Sequence, residues 1–223
     1  MSTRATGKLA QVGKLTTHAE THLLPPNPHL QTALSNSLSA GLPPITISPL
    51  QGQFLALQCK LMGAKSVLEI GTLGGYSTLW FASTGASVTS IEINAKHRDI
   101  ALKNIAQAGM AGNIDIILGA ALDVMPKLRE EGRVFDFVFL DADWDEQWEY
   151  FVEAVKLTRK GGVVYVDNVV RELFEGGDVE GKETLVSKVG RMEGVTATMI
   201  STVSGWKKEP GDMVDGFLLA VVE

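Results

Sequence analysis

Residues 67–77 read Val67-Leu68-Glu69-Ile70-Gly71-Thr72-Leu73-Gly74-Gly75-Tyr76-Ser77. A short apolar run ends in an acid, then turns through glycines into a helical pattern. Glycine at a strand end lets the backbone turn sharply and approach a ligand closely. The spacing is acid-x-Gly-x-x-x-Gly. Leu73 stands where the dinucleotide fingerprint Gly-x-Gly-x-x-Gly needs its second glycine, and no Gly-x-x-x-x-Gly-Lys-[ST] loop is present. Taken alone, such a turn is equally consistent with a tight strand-to-helix loop that binds nothing.

The same rhythm continues downstream. Short apolar runs at Ser66–Ile70, Ser87–Ile91, Ile114–Leu118, Phe135–Leu140 and Gly162–Val166 alternate with helical stretches near 76–83, 95–108, 120–130, 145–159 and 182–192. Strands alternating with helices predict a parallel sheet covered on both faces. Two further runs, Thr196–Ser201 and Gly216–Val222, flank a polar segment at 205–212 and predict an antiparallel pair. Upstream, Pro25, Pro26, Pro28, Gly41, Pro43 and Pro44 punctuate the chain, and Leu30, Ala33, Leu34 and Leu38 fit one face of a short helix. Ser48-Pro49-Leu50-Gln51 reads as a capping box with proline at the first helical position. Leu55, Gln58, Leu61 and Met62 follow as a helical stripe. One domain is expected over 1–223: an N-terminal helical or arm segment, 1–47, and a core, 48–223.

Composition narrows the function. The 223 residues are 45% hydrophobic and 21% charged, a globular balance. The single cysteine, Cys59, excludes an internal disulfide and is expected as a buried core thiol. A net charge of −6 argues against a protein that coats nucleic acid. No apolar run approaches the roughly 20 residues of a membrane helix, so no membrane partner is expected and the cytoplasm is the expected compartment. The acid-free first 19 residues, with Arg4, Lys8 and Lys14, leave a mitochondrial presequence as the alternative. The charge is uneven: 136–183 holds thirteen acids and five bases.

Glu92 ends the second strand, 23 residues after Glu69. A carboxylate there can accept both ribose hydroxyls of an adenosine. S-adenosylmethionine carries no pyrophosphate, and an acid at the first strand tip can hold its ammonium group. The two strand-tip acids together predict an adenosyl cofactor. An NAD(P) oxidoreductase would share Glu92 but lacks its three-glycine turn here. The fourth strand ends at Asp141-Ala142-Asp143-Trp144-Asp145 and the fifth at Asp167-Asn168. In an open α/β sheet the ligand crevice lies outside the carboxyl ends of the strands. Asp141, Asp167 and Asn168 are therefore expected on one rim, as a hard-oxygen set suited to Mg²⁺ or Ca²⁺. Asp145 reads as a helix cap.

These residues resemble the cation-dependent O-methyltransferases, the family of catechol and caffeoyl-coenzyme A O-methyltransferases. Gly52-Gln53-Phe54-Leu55, Leu68-Glu69-Ile70-Gly71 with Gly75-Tyr76-Ser77, Asp141-Ala142-Asp143, Asp167-Asn168 and Asp215-Gly216 fall in the family's order and spacing, from about Gln53 to the end. The resemblance implies an α/β fold, the Rossmann-like class I S-adenosylmethionine-dependent methyltransferase, with seven strands of which the last is antiparallel. It implies that Glu69 and Gly71 hold the methionine part of the cofactor, Ser77 its carboxylate, and Glu92 the ribose. Ala121 would lie by the adenine, with Asp143 as a further contact. Asp141, Asp167 and Asn168 would ligate the divalent cation, Tyr150 would touch substrate, and the protein would be a homodimer. One position departs from the family. Its lysine base, three residues after the first metal aspartate, is Trp144 here, and an indole has only a donor N–H. The segment 171–181 also departs from the family's usual sequence.

The implied reaction is transfer of a methyl group to one hydroxyl of a vicinal aromatic diol (a catechol, flavonoid or hydroxycinnamate). With no lysine at 144, metal activation with proton loss to water is expected, or Asp141 takes the proton. Trp144 is an expected aromatic wall for the substrate ring and Trp206 a candidate for the opposite wall. A methyltransferase of nucleic acid is opposed by the charge and by the lack of an Asn-Pro-Pro-aromatic motif. A non-catalytic cofactor-binding module stays open.

Overall fold

The computed structural model describes residues 3–177, 179–206 and 214–223. Three helices lead: α1 (Thr3–Leu23), α2 (Pro28–Ser39) and α3 (Pro49–Met62). Strands and helices then alternate: β1 (Ser66–Ile70), α4 (Tyr76–Ala82), β2 (Ser87–Glu92), α5 (Ala95–Gln107), β3 (Ile114–Leu118), α6 (Ala121–Glu130), β4 (Phe135–Leu140), α7 (Gln147–Leu157) and β5 (Thr158–Val166). The chain closes with α8 (Val169–Glu175), α9 (Leu185–Val189), β6 (Val195–Val203) and β7 (Val214–Val222).

The seven strands form one sheet in the order β3-β2-β1-β4-β5-β7-β6. β1 to β5 pair in parallel, and β7 runs antiparallel to both β5 and β6. The order reverses direction between β1 and β4, which opens the rim crevice there. Strand alternation divides the core. Val67, Phe137, Phe139, Tyr165 and Phe217 pack with α2, α3 and α4 on one face. Leu68, Ile70, Val138, Leu140, Val164 and Val166 pack with α6, α7 and α9 on the other.

Expected strands and core helices are found, with instructive differences. Within the expected N-terminal helical or arm segment, residues 3–23 form a helix, tied down where the Gly205 amide donates to Thr16 Oγ1 at 3.0 Å and Gln53 Nε2 donates to the Leu23 carbonyl at 3.0 Å. The buried face of α3 is Gly52, Leu55, Ala56 and Cys59. Leu61, expected in the stripe, is 81% exposed. A Cβ on Gly52 would overlap the Trp80 indole, so α3 turns its small residues toward α4. The helix expected over 145–159 stops at Leu157, because Arg159 bonds Asp136 of β4 at 2.5 Å and draws β5 back to Thr158. The helix expected over 182–192 is only Leu185–Val189, started by a Thr184–Ser187 capping box. α8 was not expected at all. Residues 207–212 of the expected polar segment lie outside the described residues. Among those described, no helix is long and apolar enough to cross a membrane.

Candidate active site

The turn after β1 is built on close backbone approach. Gly71 has φ +93, and a Cβ there would overlap the Asp141 carbonyl oxygen. Its amide donates to the Ile91 carbonyl at 3.0 Å, the Asp141 amide to Ile70 at 3.0 Å, and the Asp167 amide to Leu140 at 2.9 Å. The tips of β2, β1, β4 and β5 are thus laced into one rim. Leu73, standing in for a glycine, adopts a left-handed φ of +49, a conformation that stores strain in a non-glycine residue and is common at functional turns.

A cavity of 620 Å³ opens on this rim. Gly71, Ser77, Glu92, Ala121, Asp141, Asp143 and Tyr150 all line it. Glu92 is fixed by backbone: Oε2 accepts from the Thr72 amide at 3.2 Å and the Leu73 amide at 2.8 Å, and Oε1 from the Asn94 amide at 2.8 Å. His97 Nδ1 lies 3.6 Å from Oε1. Tyr150 donates its hydroxyl to Glu146. Burial, and then the Glu146 carboxylate, raises the Tyr150 pKa, so the phenol stays protonated. The structure therefore puts Tyr150 in the cavity of Glu92 rather than in the one that holds Asp167.

Glu69 has a different place. It is fully buried and does not line the cavity; Oε2 accepts from Thr78 Oγ1 at 2.5 Å and Ser90 Oγ at 2.6 Å, while Oε1 has no hydrogen-bond partner among the described residues. Burial lifts its pKa to about 7 against the hydroxyls that lower it.

A second cavity of 370 Å³ shares the wall Ile45-Thr46-Ile47 with the first. Asp167, Asn168 and Asp215 line it, facing apolar groups that include Phe54, Phe217 and Trp206. Asp167 is buried, and its Oδ1 accepts from Gln51 Nε2 at 2.8 Å. Gln51 therefore does not complete the expected capping box: its amide donates to Ser48 Oγ at 3.1 Å, but its side chain turns to Asp167 and to the Tyr165 hydroxyl, 3.3 Å away. Burial, then the charges of Asp141 and Asp215, raises the Asp167 pKa well above the usual carboxylate range. Asn168 has φ +60 and donates through Nδ2 to Asp215 Oδ2 at 2.8 Å.

Among the described residues, no group of three or more His, Cys, Asp or Glu is arranged to hold a metal ion. The expected set is smaller, two carboxylates and an amide. The electrostatics of Asp167 fit a cation nonetheless, since its strongest charged neighbours are both acids.

Trp206 lines the second cavity, with its indole N–H donating to the Thr46 carbonyl at 3.3 Å. Trp144 lines neither cavity; the Arg171 guanidinium lies over its ring, 5.8 Å from the centroid. Asp145 does not cap α7, which begins at Gln147. Its amide instead donates to Asp143 Oδ1 at 2.8 Å. Sequence reasoning passed over Gln51 and Thr16, and gave no role to Asp215. Only Asp215 had a signal, its place in the Asp215-Gly216 motif.

Residues 27–199 match the family model described as O-methyltransferase. The catechol O-methyltransferase of Mycobacterium tuberculosis is 41% identical over 207 residues, covering 88% of this chain and 89% of that protein. O-methyltransferase imqG of Aspergillus flavus is 39% identical over 221 residues, covering 91% of this chain and 87% of that protein. The crystal structure of an O-methyltransferase from Bacillus cereus in complex with SAH superposes with a TM-score of 0.86 at 34% identity, covering 96% of this chain and 100% of that one. With the family model spanning most of its length and relatives this similar across nearly all of it, the chain belongs to the O-methyltransferase family.

Proposed function

We propose that this protein transfers a methyl group from S-adenosylmethionine to one hydroxyl of a vicinal aromatic diol, with a divalent cation at Asp141, Asp167 and Asn168. The observation that carries the reading is the meeting of two unlike cavities at one rim. One is lined by a carboxylate pinned by three amides, the other by a buried acid facing aromatic walls.

In this reading the first cavity takes the cofactor. Glu92 receives the ribose hydroxyls at no cost in reorganisation, because the Thr72, Leu73 and Asn94 amides already hold it. Ser77 takes the carboxylate, Ala121 lies by the adenine, and Gly71 and Asp143 complete the cradle. Glu69 acts from beneath, setting the turn through Thr78 and Ser90 and holding a charge or a proton beside the methionine end. S-adenosylmethionine bound there would supply an electrophilic methyl group for one in-line displacement by the acceptor oxygen, the sulfur taking the electron pair of the broken bond.

The second cavity takes the acceptor. Asp141, Asp167 and Asn168 would hold a hard cation through two carboxylates and an amide, and the cation would supply Lewis acidity to a phenol. Trp206 and Phe217 flank the acceptor ring, and Gln51 keeps Asp167 in position. Positioning the two reactants contributes up to about 7–11 kcal/mol of barrier reduction. Trp144 takes no proton, so the phenol proton leaves to water, with Asp141 as the alternative acceptor. An assembly of two copies is part of the proposal; the uncharged edge strand β6, exposed along most of its length, supports it.

Isothermal titration with S-adenosylmethionine tests the cofactor half. Binding that Glu92→Ala weakens severely is expected, and unchanged affinity would sink the assignment. Trp144 in place of the lysine favours a second reading, a cofactor-binding protein inert toward diols. A Trp144→Lys variant that gains activity at lower pH would support the missing base, and a cofactor-bound wild type silent across a diol screen would support inertness.

A further inference from the structure

Asn168 enters the proposed cation set through its side-chain oxygen, yet an asparagine amide presents oxygen or nitrogen with nearly equal ease. Something must choose between them. Asn168 Nδ2 donates to Asp215 Oδ2 at 2.8 Å, and an ionised carboxylate only accepts. The amide nitrogen is therefore held toward Asp215 and Oδ1 faces the other way. Asp215 is itself fixed: its Oδ1 accepts from the Gly216 amide at 2.8 Å. Gly216 is pressed against β6, where a Cβ would overlap the Ile200 carbonyl oxygen. The antiparallel β5–β7 pairing brings the start of β7 beside the end of β5, so this contact is built into the topology. Asp215 also lines the second cavity and adds its charge to the field at Asp167.

We infer that Asp215 is a positioning residue for the cation site, holding the Asn168 amide in the one orientation that offers oxygen. This inference rests on the proposed cation at Asp141, Asp167 and Asn168. Residues that orient metal ligands in this way carry about 10–100-fold of metal affinity.

The test is Mn²⁺ affinity, read by electron paramagnetic resonance on the full chain, with S-adenosylmethionine affinity and melting temperature measured alongside. Asp215→Asn leaves an amide that donates or accepts, so either orientation of Asn168 is satisfied. It is expected to weaken Mn²⁺ about 10–100-fold while cofactor affinity and melting temperature stay at wild-type values. The exchanged pair Asn168→Asp with Asp215→Asn restores one donor facing one carboxylate, and is expected to recover most of the lost affinity. Wild-type Mn²⁺ affinity in Asp215→Asn, or an exchanged pair no better than the single variant, overturns the inference and leaves the cation site standing. A wild type that binds no Mn²⁺ overturns the cation site and the inference with it.

Discussion

The first cavity is shaped by backbone, the second by side chains drawn from distant parts of the chain. Glu92 is held by amides of Thr72, Leu73 and Asn94, all within 20 residues of it. Asp167 is held by Gln51, 116 residues away. Asn168 is held by Asp215, and the loop carrying Trp206 is anchored on Thr16, 189 residues from Gly205. The first cavity presents a carboxylate already held by three amides. The second keeps a buried acid among acids, an arrangement that costs free energy and that the proposed cation would relieve. In the proposed function that difference corresponds to a rigid cofactor site beside an acceptor site completed by its ion.

Gly71→Ala breaks both halves at once and carries the largest expected effect. The methyl group meets the Asp141 carbonyl at a φ that disfavours any side chain. A loss of about 4–5 kcal/mol is expected, read as a melting temperature lower by about 8–20 °C, with cofactor binding lost.

pH separates the halves next. Glu69 in the folded protein holds its proton up to about pH 7, whereas the unfolded chain releases it near 4.5. The folded state binds the extra proton between those values, so stability falls as pH rises from about 4.5 to 7, by about 3 kcal/mol in all, and is flat above. Glu69→Gln removes that slope. Asp167, raised in the same direction, adds a second decline that starts at the ordinary carboxylate value and continues well above it. Mg²⁺ is expected to abolish the Asp167 share and leave the Glu69 share untouched. Denaturant titrations across pH, with and without Mg²⁺, read both. A Glu69 slope that also vanishes with Mg²⁺ would mean the halves are one electrostatic unit.

Paired substitutions sharpen the contrast further. Glu92→Ala is expected to weaken S-adenosylmethionine by about 100-fold or more, since each charge-assisted hydrogen bond contributes about 1.5–3 kcal/mol, with Mn²⁺ affinity preserved. Asp167→Asn is expected to do the reverse. The smallest effect belongs to Trp206→Ala, which removes one wall of the second cavity. KM for a catechol is expected to rise about 5- to 30-fold, for about 1–2 kcal/mol, at unchanged cofactor affinity.

The same contrast governs what the sequence discloses. Gly71, Ser77 and Glu92 are legible as residues of one cavity because a strand, a turn and a helix start within a few residues leave a local spacing, whereas nothing in that spacing marks Glu69 as buried beneath it. Asp141, Asp167 and Asn168 are legible as strand-tip residues, since the sheet's topology brings them to one rim. Gln51 is not. It looks like half of a capping box, and only the β5 tip beside it draws its side chain away from Ser48. The docking of α1 is illegible for the same reason: nothing in its own pattern marks the contact of Thr16 with the loop at Gly205. Trp144 is misleading as a wall, because its partner is Arg171 on a helix that leaves no strong sequence signature.

Methyl transfer from S-adenosylmethionine to catechol, followed by mass detection in EDTA and after Mg²⁺ is restored, tests the joining of the two halves most directly. A methylated catechol that disappears with EDTA and returns with Mg²⁺ is expected. Turnover that ignores EDTA would contradict it.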